Sequence, residues 1–236
     1  MQPRARPKGR PSLPRAALLI YQKDLTVELR SREVLATMAL FGVLLVVLSG
    51  FAFVRDAQAL PDVAAGVLWV ALAFTGTLGV GRTLDREREG DTLRALLQAP
   101  MSRNALYLGK LCTVVTFMLL VEAILVPLVG LFFDAPVLAR PGMLALLLAF
   151  GTVGFASLGS LMAALLLGSR SRDLILAVIV YPLCVPVLVG GVLGTSALWQ
   201  PVPNDGLARM WLAVVAACDI LFLTLALLVF EPLMTE

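Results

Sequence analysis

Apolar residues run along this chain in six long blocks, and most polar and charged residues fall between them. The blocks are Val34–Val54, Val63–Gly81, Leu111–Phe133, Gly142–Gly168, Leu174–Leu198 and Met210–Phe230, the third extending as a span back to Leu108. A hydrocarbon core about 30 Å thick takes about 20 consecutive apolar residues to cross as a helix. Each block therefore predicts one transmembrane helix. Barrel strands of about 10 residues would alternate apolar with polar positions, and Leu44-Leu45-Val46-Val47-Leu48 does not alternate. The expected fold class is an all-α membrane protein of six transmembrane helices.

Two segments outside the blocks carry a pattern of their own. Leu18, Tyr21, Leu25 and Leu29 recur at helical spacing, with Lys23, Thr26 and Arg30 elsewhere on the wheel. That predicts an N-terminal amphipathic helix lying in the inner membrane interface; a cytosolic extension of the first span is the alternative. The second segment joins the second and third spans. Its first half alternates charge through Asp85, Arg86, Glu87, Arg88 and Glu89. Gly90 should break the helix, and Asp91 can cap a new one ahead of Thr92. Pro100 should end that short helix. Leu93, Leu96 and Leu97 then form an apolar knob at i, i+3 and i+4. Such a knob either fills a groove on another protein or lies back on its own membrane domain, and the residues leave both open.

Composition sharpens the membrane reading. The chain has 236 residues, 59% hydrophobic and only 15% charged, whereas soluble domains sit near half and a quarter. Sixteen of its 19 Lys and Arg residues lie before the first span or in the second-to-third and fourth-to-fifth connections. Cytoplasmic loops carry that excess, so both termini are expected in the cytoplasm, with Arg55, Arg140 and Arg209 on the other side. The net charge of +3 is thus a topology signal and not a nucleic-acid one. Phe51, Phe53, Phe132, Phe133, Trp199 and Trp211 fall near the expected outer boundary, where aromatic rings favour the headgroup level. Residues 1–13, rich in Pro, Arg and Lys, read as a disordered basic extension without a signal-peptide pattern. Residues 14–236 are expected to form one membrane domain. The outer loops are too short for a sizeable domain.

The chemistry present is sparse. The chain has no histidine, which removes the commonest metal ligand and general base and a histidine axial ligand for haem. There is no GxxxxGK[ST] phosphate loop and no GxSxG elbow, so no catalytic residue is expected and any energy must come from another subunit. Cys112, Cys184 and Cys218 lack CxxC spacing and suit small buried positions. Ionisable groups inside a bilayer are costly and default to functional hypotheses. Glu122 in the third span and Asp219 in the sixth are the two here, either lining a polar path or bonding helices together. Ala156, Ser160, Ala164 and Gly168 form a small-residue stripe suited to close packing. Pro182 and Pro186, one turn apart in the fifth span, should kink it, and Gly190 and Gly191 follow as a hinge candidate.

The run from Asp85 to Leu93, with Leu96, Leu97 and Pro100, resembles the coupling segment of ABC-2-type transporter permeases. More narrowly, the chain resembles the CcmB family, the permeases of the cytochrome c maturation haem exporter. That likeness extends through Ala65-Gly66-Val67-Leu68-Trp69-Val70-Ala71, Leu108-Gly109-Lys110-Leu111, Gly151-Thr152-Val153-Gly154-Phe155 and Tyr181-Pro182-Leu183-Cys184-Val185-Pro186. It covers nearly all of the chain from about Ala16 onward and leaves the arginine-rich start without a counterpart. The resemblance implies a bacterial inner-membrane protein whose coupling segment docks an ATP-binding subunit. It also implies a haem-handling membrane subunit, a periplasmic haem chaperone, and haem as a cargo ligated elsewhere. A permease for another substrate (lipid, drug or polysaccharide) and a scaffold that does not transport are the competing expectations.

Overall fold

The computed structural model describes residues 12–53, 60–89, 102–166 and 172–233. Among these the chain is all helix: α1 Leu13–Ser31, α2 Glu33–Phe53, α3 Leu60–Glu89, α4 Arg103–Phe133, α5 Pro141–Leu165, α6 Arg172–Trp199 and α7 Asp205–Leu233. Helices α2 to α7 each contain one stretch long and apolar enough to span a bilayer, six in all. The protein is a multi-pass membrane protein. The predicted blocks and these stretches coincide to within a few residues, except that α4 is apolar enough to cross from Arg103 onward. Helix α3 runs past its apolar stretch, which ends at Thr83, to Glu89.

Two helices form the middle of the bundle. Helix α5 buries 72% and α3 61% of its apolar window, against 28% for α2 and 22% for α7. Helix α3 packs on α2, α4, α5 and α6, while α5 packs on α3, α4, α6 and α7. The small residues Ala156, Ser160 and Ala164 are all buried on α5, which lets neighbouring backbones approach; Gly168 lies outside the described residues. The peripheral helices present Leu40, Leu44, Leu48 and Phe51 of α2, and Ile220, Leu221, Leu225 and Leu228 of α7, away from the protein. Two outer-boundary aromatics behave otherwise than their position suggests. Phe51 and Phe53 are exposed, but Phe133 and Trp199 are buried inside the bundle, where they contribute packing and not headgroup contact.

Helix α1 exists as expected, yet its most consequential face is a different one. Leu18, Leu19, Val27 and Leu29 are exposed. The stripe that packs against the protein is Ala16, Ile20, Asp24 and Glu28, spaced by one turn and ending in two acids. Helix α1 lies along α4 and touches α2. It approaches α4 closely at Gly109, where a Cβ would stand 2.8 Å from Ile20 and 2.9 Å from the Ala17 carbonyl oxygen. The corner into α2 is a single residue, Arg32, in the left-handed region at φ 54°, and its N–H donates to the Glu28 carbonyl at 2.6 Å. The Glu28 carboxylate accepts the Leu35 N–H at 2.8 Å. An acid there satisfies one of the free amides of the α2 N-terminus and complements its dipole.

Candidate functional site

The expected coupling segment begins on the extension of α3. Asp85, Arg86, Glu87, Arg88 and Glu89 are helical in backbone. Gly90, Asp91, Thr92, Leu93, Leu96, Leu97 and Pro100 lie outside the described residues, so the short helix and its leucine knob stay expectations. The two helices that carry this connection, α3 and α4, are tied together on either side of it, at Thr83 and Lys110. Lys110, near the start of α4, is only 3% exposed. Its Nζ lies 2.8 Å from Asp24 Oδ2 of α1 and donates to the Thr83 carbonyl of α3 at 3.3 Å. The Thr113 hydroxyl donates to the same Asp24 oxygen at 3.5 Å, and Lys23 stands 3.2 Å from the other. One lysine therefore joins three helices. By its charge alone Lys110 belongs with the cytoplasmic loops; it is instead a buried ion-pair member. The turn-spaced stripe of Asp24 and Glu28 is the signal in the sequence that could have pointed to it.

The intramembrane carboxyls occupy opposite kinds of environment. Glu122 of α4, 4% exposed, accepts a hydrogen bond from the Thr152 hydroxyl of α5. It also lines an otherwise apolar groove of about 370 Å³ between α4 and α5, with Leu119, Val126, Pro127, Leu138 and Leu148. Asp219 of α7 is 3% exposed, and neither carboxyl oxygen has a hydrogen-bond partner among the described residues. It packs against Gly154 of α5, so closely that a Cβ at that position would overlap Oδ1. Thr152 and Gly154 are two residues apart on α5. The two acids thus flank the same level of the central helix, one bonded and one bare.

A third constellation joins α3 to α6. The Trp69 indole N–H donates to Thr195 Oγ1 at 2.9 Å. Its ring lies against Gly151 of α5 and Gly191 of α6, where any Cβ would come well inside 3.0 Å of ring carbons. Near the start of α3, the Asp62 carboxylate accepts bonds from the Ser196 hydroxyl and from Gln200 Nε2, the latter at 3.0 Å. Further along α3, the Thr77 hydroxyl donates to the Tyr181 hydroxyl at 3.2 Å. Pro182 and Pro186 sit within α6, which is helical from Arg172 to Trp199 without interruption. Gly190 abuts Val215 and Gly191 abuts Trp69, so close packing needs both glycines.

The comparison with known families turns on the whole membrane domain. The model of the family described as CcmB protein matches residues 15–232, from the start of α1 to the end of α7. The chain belongs to the CcmB family. Three relatives bear the name heme exporter protein B. The Pseudomonas aeruginosa protein is 27% identical over 199 residues, covering 84% of this chain and 88% of that protein. The Paracoccus denitrificans protein is 30% identical over 175 residues, 74% of this chain and 79% of its own length. The Bradyrhizobium diazoefficiens protein is 28% identical over 182 residues, 76% and 80% of the two chains. In this CcmB family member, no three Cys, Asp or Glu side chains among the described residues gather as a metal site. Its three cysteines are free thiols. Among the described residues, the polar groups it brings together tie one helix to another.

Proposed function

We propose that the chain is the membrane permease subunit of an ABC-type haem-handling export complex in cytochrome c biogenesis. The family match from residue 15 to residue 232 carries this reading, together with three relatives called heme exporter protein B. The chain contributes no catalysis of its own. ATP hydrolysis belongs to a separate ATP-binding subunit that docks from the cytoplasm on Asp85–Pro100, Leu93, Leu96 and Leu97 filling a groove on it. Sixteen of the 19 basic residues fall on one side of the six spans, which supports a bacterial inner-membrane location with both termini cytoplasmic. A second membrane subunit and a periplasmic haem chaperone complete the assembly. Haem is its cargo, ligated by those partners, since this chain offers no histidine.

The deciding experiment is deletion of the gene and measurement of covalently bound haem in c-type cytochromes. Loss of holocytochrome, restored by the wild-type chain, is expected. Normal holocytochrome with altered export of another compound would move the chain to a different substrate. The docking reading has its own test: Leu93→Asp with Leu97→Asp should release the ATPase subunit from purified complex. Stoichiometric retention of the ATPase would end it.

A further inference from the structure

The buried ion pair at the foot of α4 is unusual in its placement. Lys110 and Asp24 are both almost wholly removed from solvent, and two charges so placed give up hydration that their attraction repays only in part. Apolar residues of similar size would hold α1 against α4 at least as well. Close contact is in any case supplied next door, where Ile20 fills the space over Gly109. What an apolar pair would lack is the third contact, the Lys110 donation to the Thr83 carbonyl. That bond fixes the end of the apolar part of α3 to the start of α4, one helix entering the cytoplasmic connection and the other leaving it. Through Asp24 the same ammonium fixes both to α1. From there the single-residue corner at Arg32 and the Glu28 bond to Leu35 hand any displacement on to α2.

We propose that Lys110 is a positioning residue that couples α1 to the paired ends of α3 and α4, so that α1 moves with them when the ATPase subunit acts on the connection they carry. The inference rests on the docking of a separate ATPase. It adds a passenger to the moving parts: the N-terminal helix, whose exposed Leu18, Leu19 and Leu29 face away from the bundle.

The test uses purified complex with its ATPase subunit, in a chain whose three cysteines are replaced by alanine. Leu18→Cys, half exposed on α1, carries an environment-sensitive fluorophore. ATP should change its emission in the otherwise wild-type chain. The double variant Asp24→Leu with Lys110→Met, which replaces both charges together, should retain the ATPase while most of that change is lost. A full response in the double variant, or silence of the probe in the wild-type background with ATPase bound, overturns the proposal. If the double variant fails to assemble, the wild-type probe decides alone, a response supporting the coupling and silence refuting it. Absence of ATPase from the wild-type complex would instead count against the docking reading, so the two failures are distinguishable.

Discussion

Replacing Gly191 by alanine tests the central packing directly. Trp69 is 2% exposed, held between Gly151 and Gly191 and anchored by its indole bond to Thr195. A methyl group on Gly191 would stand well inside 3.0 Å of the ring. The ring has little room to shift, because Gly151 also abuts it and its N–H would leave Thr195. Overpacking a filled core costs about 1–3 kcal/mol, and a buried bond lost with it about 1 kcal/mol more. Gly191→Ala should therefore destabilise by roughly 2–4 kcal/mol. The control lies on α3 itself: a Cβ at Gly66 meets nothing within 4 Å. Gly66→Ala should be neutral or stabilising by up to about 1 kcal/mol, since alanine loses less entropy in a helix.

The assay is equilibrium unfolding of the purified chain in bicelles, followed by circular dichroism. Trp69→Leu creates a void of its own but makes room for the methyl group. In the double-mutant cycle with Gly191→Ala, the second change should then cost less than it does beside tryptophan, with a coupling of about 1 kcal/mol or more. A Gly191→Ala chain as stable as wild type, or a coupling near zero, would refute the slot.

Two further outcomes follow from single contacts. Glu28→Ala removes the acceptor for the Leu35 N–H and should cost about 1 kcal/mol, as loss of a helix cap does; trypsin should then cut sooner at Arg30 and Arg32, and an unchanged cutting rate would count against the corner. Thr152→Val leaves Glu122 without its donor and should cost about 1–3 kcal/mol, whereas Glu122→Leu with Thr152→Val, which removes both partners, should lie nearer wild type; unfolding midpoints compare the two.

The spans were legible because a transmembrane block is a one-dimensional property, set by length and apolarity with no knowledge of neighbours. Which side of a span meets protein is not one-dimensional. In lipid a leucine gains little by facing another helix instead of an acyl chain, so apolar residues do not report their own orientation. Glu122 and Asp219 stood out by charge, but Thr152 and the bare setting of Asp219 required the fold. Trp69 lay in a stretch that carried the family likeness, and nothing in its neighbours along the chain announces Gly151 and Gly191 as the walls of its slot. In α1 the leucines of the expected stripe divide, Leu18 and Leu29 being exposed and Leu25 packed against the core. They also drew attention from the acids one turn apart, which choose the face that meets α4.

Among the described residues the polar contacts are distributed unevenly, and the unevenness follows α3 and α4, the two helices on either side of the second-to-third connection. Helix α3 is tied to α6 at three levels, through Asp62, Trp69 and Thr77. Helix α4 is tied to α1 through Lys110, to α5 through Glu122, and to both α5 and α7 by Tyr107, whose hydroxyl bonds Ser157 and whose ring lies 5.2 Å from that of Phe230. Each such bond adds little net stability in a membrane, about 1 kcal/mol or less. Stability alone therefore does not explain why they concentrate on these two helices. Fixed geometry does: a bundle held only by apolar contacts can slide, whereas directional bonds at several depths keep one helix in register with the next. If the proposed ATPase subunit pushes between α3 and α4, these bonds divide the push by construction, toward α6 through the first and toward α1, α5 and α7 through the second.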